Sequence, residues 1–482
     1  MDIRIYRSSL IIILASIFLI GEPVYAHGFG ERYDLPVPLG LYLGGAAAVV
    51  IYSFIVIGLF LKTNINLNQY PSVNIFKIPF LAIFGKKTFI NLIKLSSSMI
   101  FLLVIISGLL GDQEPNNNLA PTMIWVIGWV GIAYTSALVG NIWLLINPWN
   151  NTFWIFQALD NTLNKGKISL IGRLKYTESY GMWPAVLLLV IFAWVELVYV
   201  NSSSPFHLAI LLLIYSIITW TGMILFGKER WLENGEIFSI IFGILAKFAP
   251  SEAYRRGKDL VLNLRPPAVE LTLTESKSLS EMTLIITLLA TITFDGFMAT
   301  PIWANITDTI YEALPNMTLI STVGLLSSIA LFIITYIAVC KSIAIASNNL
   351  LTTRNACISF IHSLVPISLA YHLAHFLSYL LIQGQLVIPL SSDPLGFGWD
   401  LFGSADYKLN IAIIGARFAW ITAVISIVVG HIIAVYIGHV VAINKLGNRK
   451  TAIQSQIPML GLMIIYTITS LWILAQPITE IH

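Results

Sequence analysis

Residues 356–383 read ACISFIHSLVPISLAYHLAHFLSYLLIQ, 28 positions without an Asp, Glu, Lys or Arg. The hydrocarbon core of a bilayer takes a helix of about 20 mainly apolar residues, while a transmembrane strand needs only about 9–11. A run of this length therefore reads as a membrane-spanning helix, which pairs its own backbone polar groups where no water can reach them. The run also carries His362, His372 and His375. Ionisable residues inside a span are costly and usually face the bundle interior, so these three mark where function is to be sought.

Working outward, comparable runs lie at 38–61, 93–111, 119–146, 181–200, 207–227, 282–303, 317–340, 411–440 and 457–477, which makes ten with the first. Composition agrees: 57% of residues are hydrophobic and 11% charged, against about 25% charged in a soluble domain. The expected fold is all-α, a polytopic membrane helix bundle whose surroundings are the lipid bilayer. A net charge of +3 without a basic stripe excludes a nucleic-acid footprint. Cys340 and Cys357 lack the spacing of a zinc or redox motif and read as buried thiols.

Residues 1–26 have the form of a secretory signal: Arg4 and Arg7, an apolar run from Leu10 to Ile20, then Val24-Tyr25-Ala26. Cleavage after Ala26 makes His27 the first residue of a single integral-membrane domain, 27–482. The odd-numbered loops carry Lys77, Lys86 and Lys87, then Lys165, Lys167 and Arg173, then Lys247, Arg255, Arg256, Lys258 and Arg265, and finally Lys341, Arg354, Lys445, Arg449 and Lys450. The even-numbered loops carry mostly acids. By the positive-inside rule both mature termini face outward, in a multi-pass protein of a bacterial inner membrane. Two connections are long. Residues 228–281 form a cytoplasmic loop whose apolar piece, Ile237 to Phe248, is too short to span and is expected along the inner interface. Residues 384–410 form an outer loop, in which Asp393, Trp399 and Asp400 are placed to cover a substrate. No internal repeat is evident.

Asp295, in TITFDGFMATPIW, lies inside the sixth span and requires a partner. Arg417 is one candidate. His372 and His375, three residues apart, share a helix face at a similar depth, and two histidines with a carboxylate suit copper or zinc. His27, with its α-amino group and imidazole, is a further outer ligand. His362 joins His431 and His439, from GHIIAVYIGHVVAI, as a possible inner site or a proton or ion path. In that stretch Gly430, Ala434 and Gly438 form a small-residue stripe that admits a close helix neighbour. His362 and His375 stand 13 apart, the spacing of stacked haem ligands, but His431 and His439 stand only eight apart, so haem is not expected. Glu196 and His207 are expected at the membrane interface.

The motifs HGFGERYDLPVPL, TFDGFMATPIW, SLVPISLAYHLAHF, SDPLGFGWDLFG and SQIPMLGLMIIYTITSLWILAQP together resemble the fenitrothion hydrolase components, a family of bacterial membrane proteins. The resemblance runs over most of the mature chain. It implies hydrolysis of an organophosphate ester, with a second membrane or periplasmic subunit, and assigns no catalytic residue. Three readings follow: a membrane protein handling or transporting a transition metal through its outer and inner histidines; a metal-dependent hydrolase in which the metal held by Asp295, His372 and His375 activates water; and an assembly or scaffold subunit whose polar residues serve helix packing.

Overall fold

A computed structural model gives the architecture of the chain; it describes residues 26–28, 31–33, 37–60, 70–164, 169, 171–256, 259–276 and 278–476. The expected signal sequence lies outside the described residues except for Ala26. Among the described residues, ten helices are long and apolar enough to cross a membrane, from Leu39–Phe60 to Arg449–Leu474. The chain is thus an all-α multi-pass bundle. The sixth span, Leu279–Met298, is the most enclosed, 83% buried, and forms the bundle's axis. The eighth, Thr353–Ser392, packs beside it, and the ninth, Ala416–Leu446, packs in turn on the eighth and the tenth. Helix ends run past several apolar stretches because polar residues cap them: Asn448 accepts from Lys450 N and Thr451 N to start the tenth span at Arg449.

The third span corrects the sequence reading. Its helix ends at Leu138 rather than running to 146. Gly140 follows, where a Cβ would meet Ser251 Oγ at 2.3 Å, and the chain turns back into the bundle. Trp149 Nε1 then donates to Ser216 Oγ at 2.9 Å, and its ring lies 5.5 Å from Phe101; both partners sit near the middle of their spans.

The 228–281 connection does the same, which corrects its expected place along the interface. The helix Ile237–Ala246 is buried, with Ile237, Ile241 and Phe242 at 0% exposure. Apolar all round, it gains from burial on every face. Glu236 caps its first turn, accepting from Phe238 N at 3.0 Å and Ser239 N at 2.8 Å. At the other end Arg265 Nη2 donates to Ala246 O at 3.2 Å and Nε to Ala249 O at 3.3 Å. Each helix terminus therefore faces a side chain of opposite charge, the arrangement that the helix dipole favours. Arg265 belongs to the end of a small antiparallel sheet, with Asp259–Leu264 between Val73–Asn74 and Ser251–Arg256. It also pairs with Glu252 and Glu270.

The two returning segments meet. Glu236 accepts Tyr215 OH at 2.6 Å, Asn147 Nδ2 at 3.3 Å and Trp143 Nε1 at 3.4 Å, while Trp149 stacks on Phe238. Irregular backbone at membrane depth is tolerable because it is enclosed by protein.

Candidate functional site: two acid–histidine pairs between the sixth and eighth spans

The structure joins Asp295 to His375. His375 Nε2 lies 2.9 Å from Asp295 Oδ2, and the side chains retain 21% and 27% of their surface, so the pair is partly exposed. Tyr371, one turn below, stacks on the His375 ring at 6.0 Å and 11°. Its hydroxyl fits only because residue 296 is glycine: a Cβ there would meet it at 2.3 Å. Glu196 of the fourth span stands within electrostatic reach of Asp295, and Tyr379 is close to both carboxyls. Glu196 is the penultimate residue of the helix Trp183–Leu197; the sequence sets it near the end of its span but does not connect it to Asp295.

His372 does not join this pair. Its ring lies among Trp129, Tyr134 and Phe376, at 5.8, 5.4 and 4.9 Å, and neither ring nitrogen has a hydrogen-bond partner. Among the described residues no three His, Cys, Asp or Glu side chains converge closely enough to hold a metal ion. The expected triad of Asp295, His372 and His375 is thus a pair plus a separately caged imidazole. Arg417 is exposed at the start of the ninth span, so the partner of Asp295 is His375 instead. His27 lies on a short strand, opposite Arg32; its side chain lies outside the described residues. His207 Nδ1 lies 2.9 Å from Ser204 Oγ at the start of its own helix.

The expected inner set also separates. His362 Nε2 lies 3.0 Å from Glu281 Oε1 and Nδ1 lies 2.8 Å from Thr274 O. Lys247 Nζ stands 3.8 Å from the same Glu281 oxygen and 3.5 Å from the imidazole. His362 and Glu281 keep only 2% and 6% of their surface, so this pair is sealed. Its proton count follows from geometry. A carbonyl only accepts, so Nδ1 carries a hydrogen, and the short contact at Nε2 needs one more, held by either the imidazole or the carboxyl. His431 Nδ1 donates to Ile427 O at 2.8 Å, leaving Nε2 as a buried acceptor without a protein partner. His439 accepts Gln456 Nε2 at 3.0 Å. Eight residues of helix place His431 and His439 about 12 Å apart along the axis, too far to share one ion.

Both acid–histidine pairs thus link the same two helices, one pair near each end. Between them lie hydroxyls on the sixth and eighth spans. Thr287 Oγ1, Ser368 Oγ and Tyr371 OH are buried without protein partners, while Thr293 Oγ1 lies 2.5 Å from Tyr466 OH. The Tyr466 ring lies 6.0 Å from His431. Cys340 and Cys357 are free and buried, as expected.

The 384–410 loop is ordered by its own aspartates. Asp393 accepts Phe397 N at 3.0 Å and Gly398 N at 2.7 Å; Asp400 accepts Ala405 N at 3.0 Å and Ser392 Oγ at 2.9 Å. Trp399 packs on Phe397. The loop docks on the end of the second span, where Ser107 Oγ donates to Pro394 O at 2.6 Å and Asp112 N to Leu395 O at 2.8 Å. Its aspartates therefore staple the loop's own backbone. The Ala405 N–H and the Ser392 hydroxyl hold the Asp400 carboxyl below the usual aspartate range. A depressed folded-state value contributes stability above the unfolded value of about 3.9 and loses it as pH falls further. Pulsed hydrogen exchange should show Ser404 and Ala405 amides protected at neutral pH and opening below about pH 4. Asp400→Asn should remove that pH dependence; an unchanged profile would show that the carboxylate does not hold the loop.

No family model, no curated protein and no solved structure matches the chain.

Proposed function

We propose that this membrane protein carries protons across the bilayer along the seam between its sixth and eighth spans. The observation that supports this is the doubled pair: Asp295–His375, partly exposed, and Glu281–His362, sealed, with the unpartnered buried hydroxyls of Thr287, Ser368 and Tyr371 on the same two helices between them. Acid and histidine chains inside membranes are the usual proton relays. In each pair one proton can sit on either partner, so transfer needs no large movement. One partly exposed and one sealed pair fit a pathway that opens to one side. In a bacterial inner membrane, with the Lys/Arg-rich loops toward the cytoplasm, the partly exposed pair faces outward.

The test is proton flux into vesicles that contain the purified protein and a trapped pH-sensitive dye, driven by a potassium diffusion potential. Asp295→Asn and Glu281→Gln should each lower flux about 10²-fold or more, the low end of what a positioned proton-transfer group contributes, while the folded protein is recovered. Flux that survives both substitutions would dispose of the reading. Elemental analysis separates it from the metal reading: a stoichiometric copper or zinc ion lost on His375→Ala would favour metal handling.

A second reading is supported by the same partly exposed pair. A carboxylate that orients a histidine is the base half of a hydrolytic triad, which is consistent with the hydrolysis implied by the resemblance to fenitrothion hydrolase components. Turnover of an aryl organophosphate ester by the vesicles, abolished by His375→Ala, would favour it.

A further inference from the structure

A cavity of about 240 Å³ lies between the sixth, seventh, eighth and tenth spans. Its inner wall is buried and apolar, built from Ile286 and Leu289 of the sixth span and Met463 of the tenth. At its rim stand Leu331 and Ile465, which are 62% and 53% exposed on spanning helices and so face the acyl chains. Two of the polar groups in the wall are already committed to protein: Tyr336 OH donates to Cys357 O at 3.0 Å, and Tyr466 OH lies 2.5 Å from Thr293 Oγ1. Thr335 and Thr469 add two hydroxyls to the lining, which can pair with one weakly polar group, whereas a charged guest would go uncompensated.

From these observations we infer that the cavity is a binding site for a small uncharged lipophilic molecule that enters sideways from the bilayer. Size sets the class. An apolar cavity of about 150 Å³ accepts benzene, whereas drug-sized ligands occupy about 300 Å³ or more; this site falls between, at the scale of one or two fused rings. Depth favours a free molecule over a lipid tail. The lining residues sit in the middle stretches of their helices, where a chain anchored at either surface presents only its terminal carbons. The site also touches the proton seam, because Tyr466 forms part of its wall and bonds Thr293, two residues from Asp295. The binding claim stands apart from the proton reading.

The experiment uses the full-length protein in phosphatidylcholine vesicles, photolabelled with trifluoromethyl-phenyl-diazirine and mapped by peptide mass spectrometry. Labelling of residues 331–336 and 462–469 should saturate with probe and fall several-fold when naphthalene competes. Ile217, 63% exposed on the fifth span, should label in proportion to probe concentration without saturation. Leu289→Phe and Thr335→Phe fill the cavity from opposite walls, so one can fail to fold without costing the test; a folded filling variant should lose the saturable component. Cavity labelling that behaves like that of Ile217 would overturn the inference. So would saturable labelling by a photoreactive diacyl phospholipid that naphthalene fails to displace, which would make the occupant an acyl chain. A filling variant that loses the probe but keeps its proton flux would support binding while separating it from the seam.

Discussion

Glu236→Ala is expected to destabilise the protein more than other single changes to its polar residues. The carboxylate is 0% exposed and receives five donors: two backbone N–H groups, Tyr215, Asn147 and Trp143. Removing it uncaps a buried helix, which costs about 1 kcal/mol, and strands donors away from water at about 1–3 kcal/mol for each one left unpaired. Relaxation recovers part of this, so a net loss of roughly 3–5 kcal/mol is expected, as for breaking other buried charged contacts. The readout is the thermal unfolding midpoint in detergent together with recovery of monodisperse protein. Glu236→Gln, which keeps the shape and one acceptor oxygen, should be damaged less. An alanine variant that melts with the wild type would mean that Glu236 does not join the two returning segments.

Gly430→Val is expected to have the second-largest effect, and it acts on the site through packing. The ninth span approaches the eighth so closely that a Cβ at Gly430 would meet Ala370 Cβ at 2.4 Å and Pro366 O at 2.8 Å. The obstacle is backbone and a first side-chain carbon, neither of which can rotate away, so the helices must separate. Overpacking of this kind costs about 1–3 kcal/mol or more. It also moves the span that carries His375 relative to Asp295, whose contact of 2.9 Å leaves little tolerance. Gly438 is the internal control: the nearest atom to a Cβ there is Ser363 Cβ at 4.0 Å. Gly438→Ala should leave stability and proton flux close to wild type, while Gly430→Val lowers both. Equal tolerance at the two positions would show that the close approach is not required. The small-residue stripe is visible in the sequence, but only the packed structure shows which of its members sets the distance between helices.

The sequence by itself determined the ten spans, because insertion into lipid is decided by local hydropathy and by each helix pairing its own backbone. It also brought Asp295 to the depth of His375, since depth follows from position along a helix. Tertiary structure decided the rest. The Ile237–Ala246 piece has the length and flanking charges of an interfacial helix; its burial depends on Glu236 and Arg265 meeting its two ends, and Arg265 is brought back to the helix only by the strand pair that follows it. Residues 139–152 continue an apolar run and turn back only where the sheet's Ser251 crowds Gly140. Glu281 sits in the first turn of its span, where it reads as a loop acid until His362 is seen against it. His372 and His375 share a helix face, yet one meets a carboxylate and the other an aromatic cage. Spacing along one helix fixes which way side chains point relative to each other, whereas partners are supplied by neighbouring helices whose rotation and separation depend on contacts distant in sequence.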